Sequence, residues 1–116
     1  MGLDNYWSLK NSDKEHPKFS PELNLCSGIF SSDGAKSFRG KVYSPFFEEE
    51  FGVTLYQEEI SPKDIREISE KLKTFIEENA AHDRRLSRHL ENQEVNDLLR
   101  MFEAYAELNA TLIGWW

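Results

Sequence analysis

Few residue types in this chain can do chemistry: one cysteine, three histidines, one arginine-rich segment and two short runs of glutamate. Cys26 lies in Leu25-Cys26-Ser27-Gly28, where a thiolate nucleophile would need a histidine or a helix N-terminus beside it to lower its pKa. His16, His82 and His89 supply that neighbour only if the fold brings one there. A free cysteine in an apolar run is mostly core packing. His82 and His89 are seven residues apart, which on a helix separates them by about 10 Å, too far to share a metal ion. A zinc site needs ligands at helical spacings of three or four, or ligands converging from separate elements. No metal or other cofactor is expected from this set.

Arg84, Arg85 and Arg88 form the one concentrated basic segment, and Arg84 and Arg88 fall on one helix face. Guanidinium groups so placed can clamp an anion or a phosphate; they can equally pair with Glu48 to Glu50, Glu58, Glu59 or Glu91. Arg39 and Lys41 stand on either side of Gly40 and offer a second place for an anion, without the spacing of a phosphate loop. Neighbouring glutamates on a helix point about 100° apart, so Glu48-Glu49-Glu50 reads as a solvated face and not as a catalytic pair. The aromatic residues Tyr6, Trp7, Tyr43, Phe46, Phe47, Trp115 and Trp116 can fill a core, line a pocket or form a partner surface. Trp115 and Trp116 are adjacent, so in a strand they face opposite ways.

The elements that must position these residues are legible in part. Residues 3 to 9 are short and aromatic, which predicts a strand. The apolar run Leu23 to Phe30 predicts a second strand, followed by a turn at Ser31-Ser32-Asp33-Gly34. Gly40 predicts a bend or a close backbone approach. Ser44-Pro45 has the form of an N-cap and first helical residue, with Gly52 ending a short helix. Val53 to Gln57 is β-branched and aromatic and predicts another strand. Ser61, Pro62 and Asp64 then open a long helix, whose apolar stripe runs Ile65, Ile68, Leu72, Phe75 and Ile76 and ends near Asn79 to His82. Val95, Leu98, Leu99, Phe102, Tyr105 and Ala106 mark a second stripe. Asn109 suits the left-handed end of that helix, and Thr111 to Trp116 predicts a closing strand.

The expected architecture is α+β, one domain over residues 1–116. A small, mainly antiparallel sheet with strands near 3–9, 53–57 and 111–116 packs on two long amphipathic helices, 61–80 and 91–108, as a two-layer sandwich. The apolar closing strand should be docked, with Ile113 and one of its two tryptophans in the core.

Apolar residues make up 39% of the 116, and aromatics 13%, enough for a core without disulfide or metal. The formal charge of −7 repels polyanions and anionic membranes, so no nucleic-acid or membrane partner is expected. One cysteine suits a reducing compartment, no apolar run approaches the roughly 20 residues that cross a bilayer, and a cytoplasmic location is expected.

The opening Gly2-Leu3-Asp4-Asn5-Tyr6-Trp7 resembles the Met-Gly-Leu-Asp-x-Tyr start of small uncharacterised proteins of bacteria and their phages. The close, Leu112 to Trp116, is similar to the end of such proteins. The resemblance implies a bacterial type of origin and assigns no chemistry to any residue.

With no catalytic constellation and with aromatic residues in surplus, the function expected first is a noncatalytic binding or protein-interaction domain, engaging a protein partner or a second copy through Tyr6, Trp7, Tyr43, Trp115 or Trp116. The alternatives are a small-ligand or anion-binding domain using Arg84, Arg85, Arg88, Arg39 and Lys41, and a small enzyme built from Cys26, a histidine and the arginine segment.

Overall fold

Alternation along the first strand sets the architecture. In β1 (Asp4–Ser8), Asn5 and Trp7 are buried, while Asp4 and Tyr6 are half-buried and Ser8 is exposed. The computed structural model describes residues 2–9, 16–17, 19–26, 36–81 and 90–116. After β1 come β2 (Ser37–Phe38), α1 (Gly40–Phe51), β3 (Glu59–Ile60), α2 (Pro62–Ala81), α3 (Asn92–Glu107) and β4 (Thr111–Trp115). The sheet has the order β2-β1-β4-β3, with every pair antiparallel. The helices pack on it and on each other, so the class is α+β. Among the described residues no helix is long and apolar enough to cross a membrane.

The two long helices form where their stripes place them. Ser61 caps α2, its Oγ accepting the N–H of Asp64 at 3.2 Å, and Ile65, Ile68 and Leu72 are buried along one face. In α3 the side chain of Glu91 caps a backbone N–H, and Glu94 returns the bond to the Glu91 N–H. Val95, Leu98, Met101, Phe102 and Tyr105 make its buried face. Asn109 takes the left-handed conformation, φ 54°, and turns the chain into β4.

Gly40 meets the expectation of a close approach. A Cβ at that position would stand 1.7 Å from Asn5 Oδ1 and 2.8 Å from Leu3 Cδ2, so β1 is pressed against the start of α1 in a way only glycine allows.

Several boundaries differ from the sequence pattern. The helix expected to start at Ser44-Pro45 begins at Gly40, with Pro45 inside it and Gly52 at its left-handed end, φ 66°. Ser44 is no cap: its buried hydroxyl donates to Glu48 Oε2 at 2.9 Å and accepts the Leu55 N–H at 3.0 Å. The same bond explains why 53–57 is not a strand. The Leu55 N–H goes to Ser44 and its carbonyl accepts from Asn5 Nδ2 at 3.4 Å, so the edge strand forms two residues later, at Glu59–Ile60. Residues 23 to 26 are not strand either, since the N–H groups of Asn24 and Cys26 bond to the side chains of Asp97 and Tyr43. Residues 27–30 of that expected strand and the turn at 31–34 lie outside the described residues.

The closing strand is in place, but its faces are the reverse of the expectation. The register aligns Trp7 with Leu112 and Tyr6 with Ile113. Trp7 looks toward the helices, so Leu112 does too and is fully buried, whereas Ile113 is half-buried on the other face. Neither terminal tryptophan is in the core: Trp115 is 62% exposed and Trp116 51%. Trp7 is the buried tryptophan.

Two substitutions separate these roles. Trp7→Ala should cost about 3–5 kcal/mol and Leu112→Ala about 2–5, whereas Trp115→Ala should stay within about 0.5 of the parent. Urea denaturation of the three variants reads the difference; a Trp115 loss as large as that of Trp7 would contradict the register.

Candidate functional site

Polar groups gather in two places, and their hydrogen-bonding state distinguishes them. The first is a seam where residues 16–17 and 19–26 lie against α1 and α3. Tyr43, buried on α1, accepts the Cys26 N–H at 2.8 Å and donates to Glu94 Oε2 at 2.9 Å. The other Glu94 oxygen caps α3. One turn on, the buried Asp97 accepts from the Asn24 N–H at 3.0 Å, from Gln93 Nε2 and from Arg100 Nη1 at 3.0 Å. Arg100 also donates to the Pro21 carbonyl and lies 5.7 Å from the Phe19 ring centre. Farther along, His16 Nδ1 is 2.8 Å from the Tyr105 hydroxyl.

In this seam each group singled out bonds another part of the same chain, so its chemistry is that of an internal tie. Burial first, and then the Glu94 carboxylate that accepts its proton, push the Tyr43 phenol far above its ordinary value of 10.0, against the opposing pull of the Cys26 N–H. It stays neutral and serves as a bridge.

Of the residues proposed for an enzyme, the described ones, Cys26 and His16, belong to separate ties. The Cys26 side chain is exposed rather than in the core, because its backbone N–H and carbonyl are held by Tyr43 and by the Arg39 N–H at 2.9 Å. His16 lies against Tyr105 on α3. His82, His89 and the candidate anion clamp Arg84, Arg85 and Arg88 lie outside the described residues. Among the described residues no three His, Cys, Asp or Glu side chains converge as a metal site would require.

Arg39 and Lys41 flank Gly40 at the start of α1 rather than at a bend in a loop. Arg39 Nε is 3.7 Å from Asp4 Oδ1, and the N–H groups of Lys41 and Val42 bond to the carbonyls of Leu3 and Arg39. The donors of this helix start are thereby committed to the protein itself.

The second place is the outer end of the sheet. Of the aromatic candidates, Trp7 and Tyr43 belong to the core. Tyr6 and Trp115 share the face of the sheet away from the helices, by the alternation of β1 and β4. Trp116 sits across the strand from Trp115, its ring centre 5.8 Å from that of Tyr56 in an edge-to-face contact. Tyr56, Trp115 and Trp116 are the exposed large apolar side chains of the described residues, and all three lie at this end.

Gly114 makes the arrangement possible. Its N–H bonds to the Glu58 carbonyl at 3.1 Å, and a Cβ there would fall 2.4 Å from the Gln57 carbonyl oxygen. With no side chain in the way, the 55–59 segment closes on β4 and leaves an open groove lined by Tyr6, Gln57, Glu58, Glu59, Ile113 and Gly114.

Tyr56, Glu58, Glu59 and Ile113 are members of this site that sequence reasoning missed. A glycine between two large residues of a strand, Ile113 and Trp115, was the available signal. The ties at Glu94 and Asp97 carried none, since their partners are set by tertiary contact. No family model, curated protein or solved structure matches the chain.

The Tyr43 bridge gives a pH signature. The phenol keeps its proton in the folded chain above pH 10.0, where the unfolded phenol loses it. Its contribution to stability is therefore fully present below that pH and declines as pH rises through it. Tyr43→Phe should cost about 1–3 kcal/mol at neutral pH by stranding the Cys26 N–H and Glu94, and should flatten part of the alkaline decline. Denaturation midpoints at neutral and alkaline pH test both; a variant with unchanged stability would show that the bridge is idle.

Proposed function

We propose that this chain is a noncatalytic protein-interaction domain of the cytoplasm, binding through the outer end of its sheet. The observation that carries the reading is the placement of Tyr56, Trp115 and Trp116. A chain with a core as aromatic as this one leaves two tryptophans and a tyrosine exposed, Tyr56 and Trp116 in ring contact and Trp115 on the opposite face of the same strand end. Exposed aromatic side chains that cluster at one end mark an interaction site, whereas scattered ones need no explanation. Tryptophan and tyrosine are also the residues that dominate binding energy at interfaces, because they bury large area at little cost in side-chain entropy. The seam, by contrast, spends its hydrogen bonds internally.

A photo-crosslinking residue in place of Trp115, with Glu103 on the exposed face of α3 as control, tests this in the cells that make the protein. The expected result is a discrete protein adduct from position 115 and none from position 103. No adduct at 115, or equal adducts at both, would defeat the interaction reading.

A further inference from the structure

The groove beside the aromatic residues has a charge of its own. Glu58 and Glu59 line it and both are exposed. Among the described residues neither carboxylate has a cation within ion-pair distance; the ion pairs found there are Arg39 with Asp4 and Arg100 with Asp97. Beside the carboxylates the groove is lined by Ile113, paired with Glu59 across β3 and β4, and by Tyr6, paired with Ile113 across β1 and β4.

Resting on the interaction reading, we infer that the partner of this surface is a basic protein segment, presenting Lys or Arg side chains to Glu58 and Glu59. The side chains that combine an apolar stem with a cationic head are lysine and arginine, and they lie along apolar surface with the charge at its edge. The stem covers Ile113 and Tyr6 while the head reaches the carboxylates. The exposed Trp115 ring, on the same face, attracts a further cation through its π face.

The formal charge of −7 draws a basic partner from a distance, and it disfavours the other occupants. A second copy seated on the groove would bring the same two carboxylates toward each other, and a polyanion would be repelled by both.

The probe is a short labelled peptide alternating Lys with Val, alongside its Glu-for-Lys counterpart, titrated with the full chain. Fluorescence anisotropy follows the peptide, and the exposed tryptophans report from the protein side. The Lys peptide should bind and the Glu peptide should not. Glu58→Gln with Glu59→Gln should weaken binding between about three- and tenfold, and raising salt from about 0.05 M to about 0.5 M should weaken it as well. Trp115→Ala should weaken binding without loss of folded protein.

Glu103→Gln with Glu107→Gln removes the same net charge from α3 and should leave binding unchanged. Equal weakening by the two double variants would show attraction to net charge alone and overturn the groove. Binding of the Glu peptide, or self-association of the chain that Trp115→Ala abolishes, would overturn the basic partner. A protein adduct at position 115 together with no binding of the Lys peptide would leave the interaction reading standing and remove this deeper one.

Discussion

Trp7 stacks on Tyr105 with ring centres 4.4 Å apart and planes 7° from parallel, and it meets Phe102 edge-on at 5.1 Å. It stands on β1, a central strand of the sheet, and so joins the sheet to α3 through one side chain. Its indole N–H is buried with no hydrogen-bond partner among the described residues. A buried unpaired donor is costly, so the ring contacts must outweigh that cost, and they can do so only if β1 stays in one register. A slip by one residue would turn Trp7 to solvent and put Tyr6 or Ser8 in its place. The stacking is in this sense the constraint from which the face of every other residue on β1 and β4 follows.

Once Trp7 is inside, its partner Leu112 is inside. Ile113 and Trp115 are then directed to the far face, and Trp116 falls at the strand's end beside Tyr56. The core has no need of them. Phe46, Phe47, Phe51, Phe75 and Phe102 form a connected set of ring contacts from α1 to α2 and α3, which supplies the aromatic packing that the terminal tryptophans were expected to provide. Residues 21–26 are outside the sheet and are held by hydrogen bonds to Tyr43, Asp97 and Arg100. Two kinds of cohesion therefore divide the molecule, with apolar packing between sheet and helices and a polar seam where the irregular segment crosses α3.

What the sequence showed and what it hid divide along the same line. The helices at 62–81 and 92–107 were legible because each carries a three-and-four stripe bounded by local chemistry, Ser61-Pro62 at one start and Asn109 after one end. Strands β1 and β4 were legible from aromatic and β-branched composition. Their relative register was not, because Trp7 and Trp115 are the same residue type and only three-dimensional packing chooses between them. The stretch 53–57 has strand composition, yet Ser44 and Asn5, from distant parts of the chain, take the hydrogen bonds of Leu55. Ser44-Pro45 mimics a helix start, but Gly40 fits against Asn5 and Leu3 and begins the helix earlier. In each of these cases a local pattern competed with a contact between residues far apart in sequence, and the contact won.

The candidate site inherits its form from that competition. Gly114 and the 55–59 segment come together because the Leu55 backbone is drawn inward by Ser44 and Asn5. The Gly114 N–H then finds the Glu58 carbonyl. Glu58 and Glu59 are thus carried to the open face by bonds made on the buried one. Their carboxylates contribute nothing to those bonds, which run through backbone atoms, and Trp115 contributes nothing to the core. Side chains that the fold positions but does not use are free to be selected for binding. The surface can change in charge or in aromatic character while the register set by Trp7 stays as it is.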